Sequence, residues 1–314
     1  MPLHQGHIAL IRFARAHCDE LIVSMSYKSD DPIDGPMRFR WLQEFFANDP
    51  TIIPAISMDD FDQTQLPLAE RVVLWAAFIK KRFPPVDVLF SSEDYGEPFA
   101  AQLGIAHMTF DPQREKVPVS STKIRTQPFA YWSFIPANVR PYFVKIICFF
   151  GAESTGKSTM ARRFAEIYQT SFVPEVAREM ISSNVFSVDD IIRIGHAQTA
   201  RVKEKRAVAN RLLFCDTDLV TTSIYSKKYL GVVPEILTTL EKEIQYDQYF
   251  LFDVDVPWVA DGLRDLKDER GEMSQAFEQA LVQRHIPFIR VAGNWAEREG
   301  IIRSALKANF GIWD

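Results

Sequence analysis

Short β-branched and aromatic runs alternate with longer amphipathic segments along the whole chain, a pattern that places helices on the faces of parallel sheets. In the first half the runs predict strands over 20–26, 51–55, 86–90 and 105–109. Helical periodicity covers 7–17, 36–46 and 66–81. In the second half strands are predicted over 144–150, 171–173, 211–215, 248–253 and 288–291, and helices over 157–168, 188–209, 219–230 and 234–245. Between the halves, around 128–141, two apolar helical fragments carry Pro136 and Pro141 and lead into a new strand, which sets the domains at 1–140 and 141–314. The fold class is therefore α/β, with two parallel-sheet domains in series and no short-period repeat.

Composition narrows the function. With 314 residues, 47% hydrophobic and 25% charged, each half can bury a core of its own. A net charge of −5 without a basic run argues against nucleic acid as a partner. Cys18, Cys148 and Cys215 are scattered through apolar contexts, which reads as reduced core thiols. The longest apolar stretch, 143–152, is interrupted by Lys145 and too short for a bilayer, and the N-terminus has no signal pattern. The expectation is a cytoplasmic protein acting on small molecules, with no membrane partner. Association with further copies of itself is left open.

The strongest chemical signal is Gly151-Ala152-Glu153-Ser154-Thr155-Gly156-Lys157-Ser158, a complete G-x-x-x-x-G-K-[ST] match between an apolar strand and an amphipathic helix beginning at Thr159. Glycines at both ends let the backbone N–H groups of Glu153, Ser154, Thr155 and their neighbours turn towards phosphate oxygens. The helix N-terminus adds favourable partial charge. Lys157 is expected to neutralise the phosphates of ATP, with its ammonium solvated when no nucleotide is bound, and the Ser158 hydroxyl to hold Mg2+.

Three weaker features follow in order. Glu175 and Arg178 come just after the short strand 171–173, where small-molecule kinases bind the acceptor; Glu175 could orient the acceptor hydroxyl and Arg178 hold a phosphate, or both could belong to a solvated helix start. Asp216 and Asp218 end a buried strand, the place of a magnesium-organising carboxylate, with helix capping as the alternative role for either. Arg264 and Arg270 lie in the charged stretch 261–272, which suggests a lid whose arginines stabilise the transferred phosphoryl group, or simply a solvated loop.

The first half carries a second constellation. His4-Gln5-Gly6-His7 is an H-x-G-H tetrapeptide opening a helix, and Val119-Ser120-Ser121-Thr122-Lys123-Ile124-Arg125 comes late in the same half. Either could be incidental alone; together they resemble the paired motifs of the nucleotidyltransferase superfamily. That resemblance implies that His4, Gly6 and His7 hold α- and β-phosphate oxygens of ATP, while Ser120, Ser121, Thr122 and Arg125 hold the leaving pyrophosphate. Catalysis there would be positioning plus charge stabilisation.

The whole chain resembles the bifunctional nicotinamide-nucleotide adenylyltransferase/ribosylnicotinamide kinases, the NadR family. Besides the motifs above, the likeness rests on Arg38-Phe39-Arg40-Trp41-Leu42, Ser91-Ser92-Glu93, Pro128-Phe129-Ala130-Tyr131-Trp132, Gly195-His196-Ala197-Gln198, Asp216-Thr217-Asp218 and Pro257-Trp258-Val259-Ala260-Asp261-Gly262-Leu263-Arg264. The resemblance implies a nucleotidyltransferase-type Rossmann-like domain over 1–140 followed by a P-loop kinase domain over 141–314. The second domain would phosphorylate ribosylnicotinamide, and the first would adenylylate the mononucleotide to NAD. Asp218 would contact substrate and Trp258 would stack on the nicotinamide ring, although a packing role for Trp258 stays open. The family's first strand and its Gly-x-Phe-x-Pro lead-in do not precede His4, and no DNA-binding domain does, so the expectation is a first domain with two unpaired strand edges. A kinase with an inactive first domain, and a regulatory protein that senses ATP and NAD without turnover, are the alternatives.

Overall fold

The computed structural model describes residues 1–59, 65–260 and 264–312. It divides into two compact units, Met1–Val139 and Arg140–Asp314.

Unit 1 contains α1 (Gln5–Arg15), β1 (Leu21–Tyr27), α2 (Gly35–Phe45), β2 (Ile52–Met58), α3 (Leu68–Arg82), β3 (Val88–Ser91), α4 (Gly96–Leu103), β4 (Ala106–Thr109) and α5 (Ser121–Thr126). Helix α1 forms because apolar residues recur at helical spacing, burying Ile8, Ile11 and Ala14, and because His4 caps its first turn. The strands do not make one sheet. β1 pairs in parallel with β2, from Leu21 opposite Ile52 to Tyr27 opposite Met58. β3 pairs in parallel with β4, Val88 opposite Ala106 through Ser91 opposite Thr109. Each of the four has a single ladder partner among the described residues. Helix α1 contacts both pairs, and the Phe13 ring lies 6.2 Å from Phe90 and 5.1 Å from Phe110. Unpaired strand edges, as expected for this domain, thus lie between two two-stranded parallel pieces bridged by side chains.

Unit 2 contains α6 (Arg140–Phe143), β5 (Lys145–Phe150), α7 (Lys157–Ile167), β6 (Phe172–Val173), α8 (Ala177–Met180), α9 (Val188–Val208), β7 (Leu212–Asp216), α10 (Leu219–Leu230), α11 (Glu235–Glu241), β8 (Gln248–Phe252), α12 (Arg270–Gln283), β9 (Phe288–Val291) and α13 (Trp295–Phe310). Its five strands are all parallel, in the order β6-β7-β5-β8-β9. Strands buried on both faces read as unbroken apolar runs, and Ile146 through Phe150 are all buried. Phe149 is the hub, its ring 5.2–6.1 Å from those of Phe164, Phe214, Phe250 and Phe252. Each such ring contributes roughly 1.5–3 kcal/mol by leaving water.

Helix ends in unit 2 follow local chemistry. Ser187 and Asp190 close a capping box on α9, and Asn294 with Glu297 closes another on α13. Helices α10 and α13 stop at Gly231 and Gly311, both in the left-handed region. No helix among the described residues is long and apolar enough to cross a membrane.

Candidate functional site: a phosphate cradle and its cleft

The loop between β5 and α7 sits at the carboxyl end of the central strand, where ligands bind in open parallel sheets. Two of its residues must be glycine. Gly151 has φ 136°, and a Cβ there would lie 2.8 Å from the Phe252 carbonyl oxygen. Gly156 has φ 89°, and its Cβ would lie 2.7 Å from the Trp295 ring. The loop is braced from behind rather than free. Arg298, fully buried, donates to the Thr155 carbonyl at 2.7 Å and the Gly293 carbonyl at 2.8 Å, and pairs with Asp255. Arg270 donates to the Ser154 carbonyl at 3.1 Å and the Val256 carbonyl at 3.0 Å. The Ser154 hydroxyl accepts from the Val259 N–H at 2.8 Å, and the Glu153 carboxylate accepts from the Leu266 N–H at 2.9 Å. Burial pushes the Glu153 carboxyl above its usual range.

The sequence suggested a solvated Lys157, and the structure differs. The side chain is buried, and its ammonium donates to the Ala152 carbonyl at 2.7 Å. Burial lowers its pKa, against the attraction of Asp216 and Glu175. Asp216, at the end of β7, is 2% exposed, and burial raises its carboxyl to about 6 despite Lys157 and the Ser158 hydroxyl. Its Oδ1 has no hydrogen-bond partner among the described residues.

Lys157, Ser158, Thr159, Glu175, Arg178 and Arg264 line one open cleft of about 1080 Å³. The Arg178 guanidinium donates to Glu175 at 2.7 Å. Three expectations change. Asp218 faces away from the cleft: its Oδ1 accepts from the Thr221 N–H at 2.9 Å as the cap of α10, and its Oδ2 from the Tyr249 hydroxyl at 2.8 Å. Both oxygens are committed, so capping is its role, and burial raises its carboxyl to about 6. Trp258 does not line the cleft; the Arg270 guanidinium lies 5.5 Å from its ring, so the two pack on one another behind the phosphate loop. The charged stretch is only partly lid-like: Asp261, Gly262 and Leu263 lie outside the described residues, Leu266 is buried, and Arg270 begins α12.

Sequence reading missed the cleft's far wall. Phe186, Tyr225 and Tyr229 form it, with Phe186 and Tyr229 ring centroids 5.5 Å apart. Tyr225 and Tyr229 are four apart on α10, a helical spacing that could have marked them. Gln198 and Thr217 also line it.

In unit 1 the two motifs meet. His4 Nδ1 accepts from the Gly6 N–H at 3.1 Å and the His7 N–H at 3.4 Å. Its proton is therefore on Nε2, which donates to the Ser121 hydroxyl at 3.2 Å, across 117 residues. The His4 and His7 rings stack at 3.8 Å. Burial, then mutual repulsion and Arg114, lowers His4 to about 2; burial and Arg114 lower His7 to about 4, so both rings are neutral at pH 7. His4 thus caps α1 and reaches Ser121, with the His7 ring stacked on it. Gly6 is needed because its Cβ would lie 2.9 Å from the His4 ring. Ser120 caps α5, and Arg125 donates to the Thr122 hydroxyl at 3.4 Å.

Fold and site together define a two-domain α/β protein whose second unit is a P-loop nucleotide-binding domain. A family profile described as an AAA domain matches residues 146–298. The "Trifunctional NAD biosynthesis/regulator protein NadR" of Escherichia coli K12 is 33% identical over 92% of this chain and 76% of its own length. The protein of the same name from Salmonella typhimurium LT2 is 32% identical over the same shares. Among solved structures, a NadR protein in complex with NR superposes with a TM-score of 0.82 at 21% identity, covering 99% of this chain and 94% of that one. The chain belongs to the NadR family.

Proposed function

We propose that this chain is an enzyme of NAD salvage whose unit 2 phosphorylates ribosylnicotinamide with ATP. The observation that carries the reading is the single cleft in which Lys157 and Ser158 face Glu175 and Arg178, beside the buried Asp216. In the reaction the acceptor hydroxyl oxygen bonds to the γ-phosphorus as the bond to the β-bridging oxygen breaks. ADP leaves, and the hydroxyl proton passes to Glu175. The backbone N–H groups of Ser154–Lys157 and the Lys157 ammonium stabilise charge on the phosphates without reorganising. The Ser158 hydroxyl and the partnerless Asp216 Oδ1 are a hard-oxygen pair of the kind that suits Mg2+, which when bound would neutralise phosphate charge. Phe186, Tyr225 and Tyr229 offer aromatic faces to a pyridinium ring, a cation that such faces attract.

Unit 1 is proposed to transfer the adenylyl group of a second ATP to the mononucleotide, releasing pyrophosphate; the clasp between His4 and Ser121 supports this by drawing both motifs into one place. A second reading, kinase activity alone, is favoured by the two separate strand pairs of unit 1. Chromatography of products from ATP, Mg2+ and ribosylnicotinamide separates the readings. Mononucleotide plus NAD supports both activities, and mononucleotide alone supports the second. Neither product would overturn the proposal in favour of a non-catalytic sensor.

A further inference from the structure

Two buried hydrogen-bonding groups in the wall of the unit 2 cleft have no partner among the described residues. Gln198 is 2% exposed and sits in the otherwise largely apolar buried stripe of α9, between Ile191, Ile194 and Val202. Its Oε1 accepts from the Val176 N–H at 2.9 Å, which fixes the amide orientation and turns Nε2 the other way; Nε2 is unpartnered. Thr217 is 3% exposed, and its Oγ1 is also unpartnered. Its backbone is held at φ 82°, where a β-branched residue is an outlier, by its own N–H donating to the Phe149 carbonyl at 3.1 Å. Glycine would occupy that conformation without strain, so the side chain is retained against a conformational cost.

Position says what these groups are for. Thr217 directly follows Asp216, and Gln198 holds the backbone next to Glu175, so the two flank the point of phosphoryl transfer. Neither is charged, which suits neutral hydroxyls better than phosphates already served by Lys157 and the loop N–H groups. The aromatic wall of Phe186, Tyr225 and Tyr229 takes the base, leaving the sugar between it and the reacting oxygen. Resting on the kinase reading above, we propose that Thr217 Oγ1 and Gln198 Nε2 bind the sugar hydroxyls of the acceptor nucleoside and thereby set which acceptors the cleft takes. Gln198 also borders a second, smaller pocket beside Asp218 and Tyr249, where a merely structural amide would be satisfied by water; Thr217 does not.

The test is steady-state kinetics of the full chain with ATP and ribosylnicotinamide, or its deoxyribosyl analogue, on wild type, Thr217→Gly, Thr217→Ser and Gln198→Leu. Thr217→Gly should melt no lower than wild type, because it relieves strain, yet lose about tenfold or more in kcat/KM for the riboside with KM for ATP unchanged. Thr217→Ser should stay within about threefold, as it keeps the hydroxyl. Wild type should prefer the riboside to the deoxyriboside by about tenfold or more, and Thr217→Gly and Gln198→Leu should each narrow that preference. Variants with unchanged riboside kinetics, or in which KM for ATP rises in step, would overturn the inference alone. A wild type that makes no mononucleotide would remove the kinase reading and this one with it.

Discussion

Replacing Arg298 by Met should destabilise unit 2 more than any other single change on the nucleotide side of its sheet. The guanidinium has no solvent exposure and serves three carbonyls, at 2.7 Å on Thr155, 2.8 Å on Gly293 and 3.2 Å on Asp253, as well as the Asp255 carboxylate. Met fills most of the volume but leaves these acceptors facing an apolar chain. Leaving a buried acceptor without its donor costs about 1–3 kcal/mol, so losing three of them removes a large share of the ~5–15 kcal/mol that holds a domain together. For a unit of this size each kcal/mol moves the midpoint by roughly 2–4 °C, so the shift should be on the order of 10 °C. Arg298→Lys keeps the charge but not the fork, and should fall between. Asp255→Asn should cost less, since Asp255 is 37% exposed and solvent can replace what it loses. Calorimetry of the full chain would resolve the transition of unit 2. A midpoint for Arg298→Met within about 2 °C of wild type would refute the view that this residue anchors the phosphate loop.

Lys157→Ala should lower mononucleotide formation by at least a few hundredfold, and a variant keeping more than about a tenth of the rate, a loss of only ~1.4 kcal/mol, would refute the role given to the cradle. Asp218→Ala should cost roughly 2–5 kcal/mol in urea unfolding, by stranding the Thr221 N–H and the Tyr249 hydroxyl, while leaving KM for ribosylnicotinamide unchanged; a raised KM with normal stability would return it to the substrate. Trp258→Ala should raise the constants for ATP and acceptor together, because the ring packs on the Arg270 that braces Ser154; a rise for the acceptor alone would restore stacking on the substrate. In unit 1, His4 and His7 bind protons more weakly folded than unfolded, so between about pH 6.5 and 4 the unfolded state holds more protons and stability falls as pH falls. The loss at pH 5 should be about 2 kcal/mol for each ring, and a pH-independent melting profile over that range would contradict their burial.

Most of unit 2 was legible because parallel strands buried on both faces leave unbroken apolar runs, as in 145–150 and 212–216, and because a phosphate loop is one contiguous octapeptide. Helices α12 and α13 were not. In α13 the largest fully buried side chain is Arg298, so a stripe read by hydrophobicity alone places that face in solvent. The same blindness affected Lys157: its burial depends on Ala152 offering a carbonyl, which no periodicity encodes.

The acceptor wall as a whole was missed for a different reason. It is assembled from the segment between α8 and α9, from α9, from the turn between β7 and α10 and from α10 itself, so no local run of sequence contains it. Sequence could nominate Asp216 and Asp218 as equals, two residues apart after one strand. Only the chain's path distinguishes them. The left-handed backbone at Thr217 separates a carboxylate with a free Oδ1 from one whose two oxygens are already taken by a helix N-terminus and a tyrosine. The geometry that divides their work is therefore set by one strained residue between them. That residue carries a polar group of its own into the cleft, and Thr217→Gly could relieve the strain only by giving that group up.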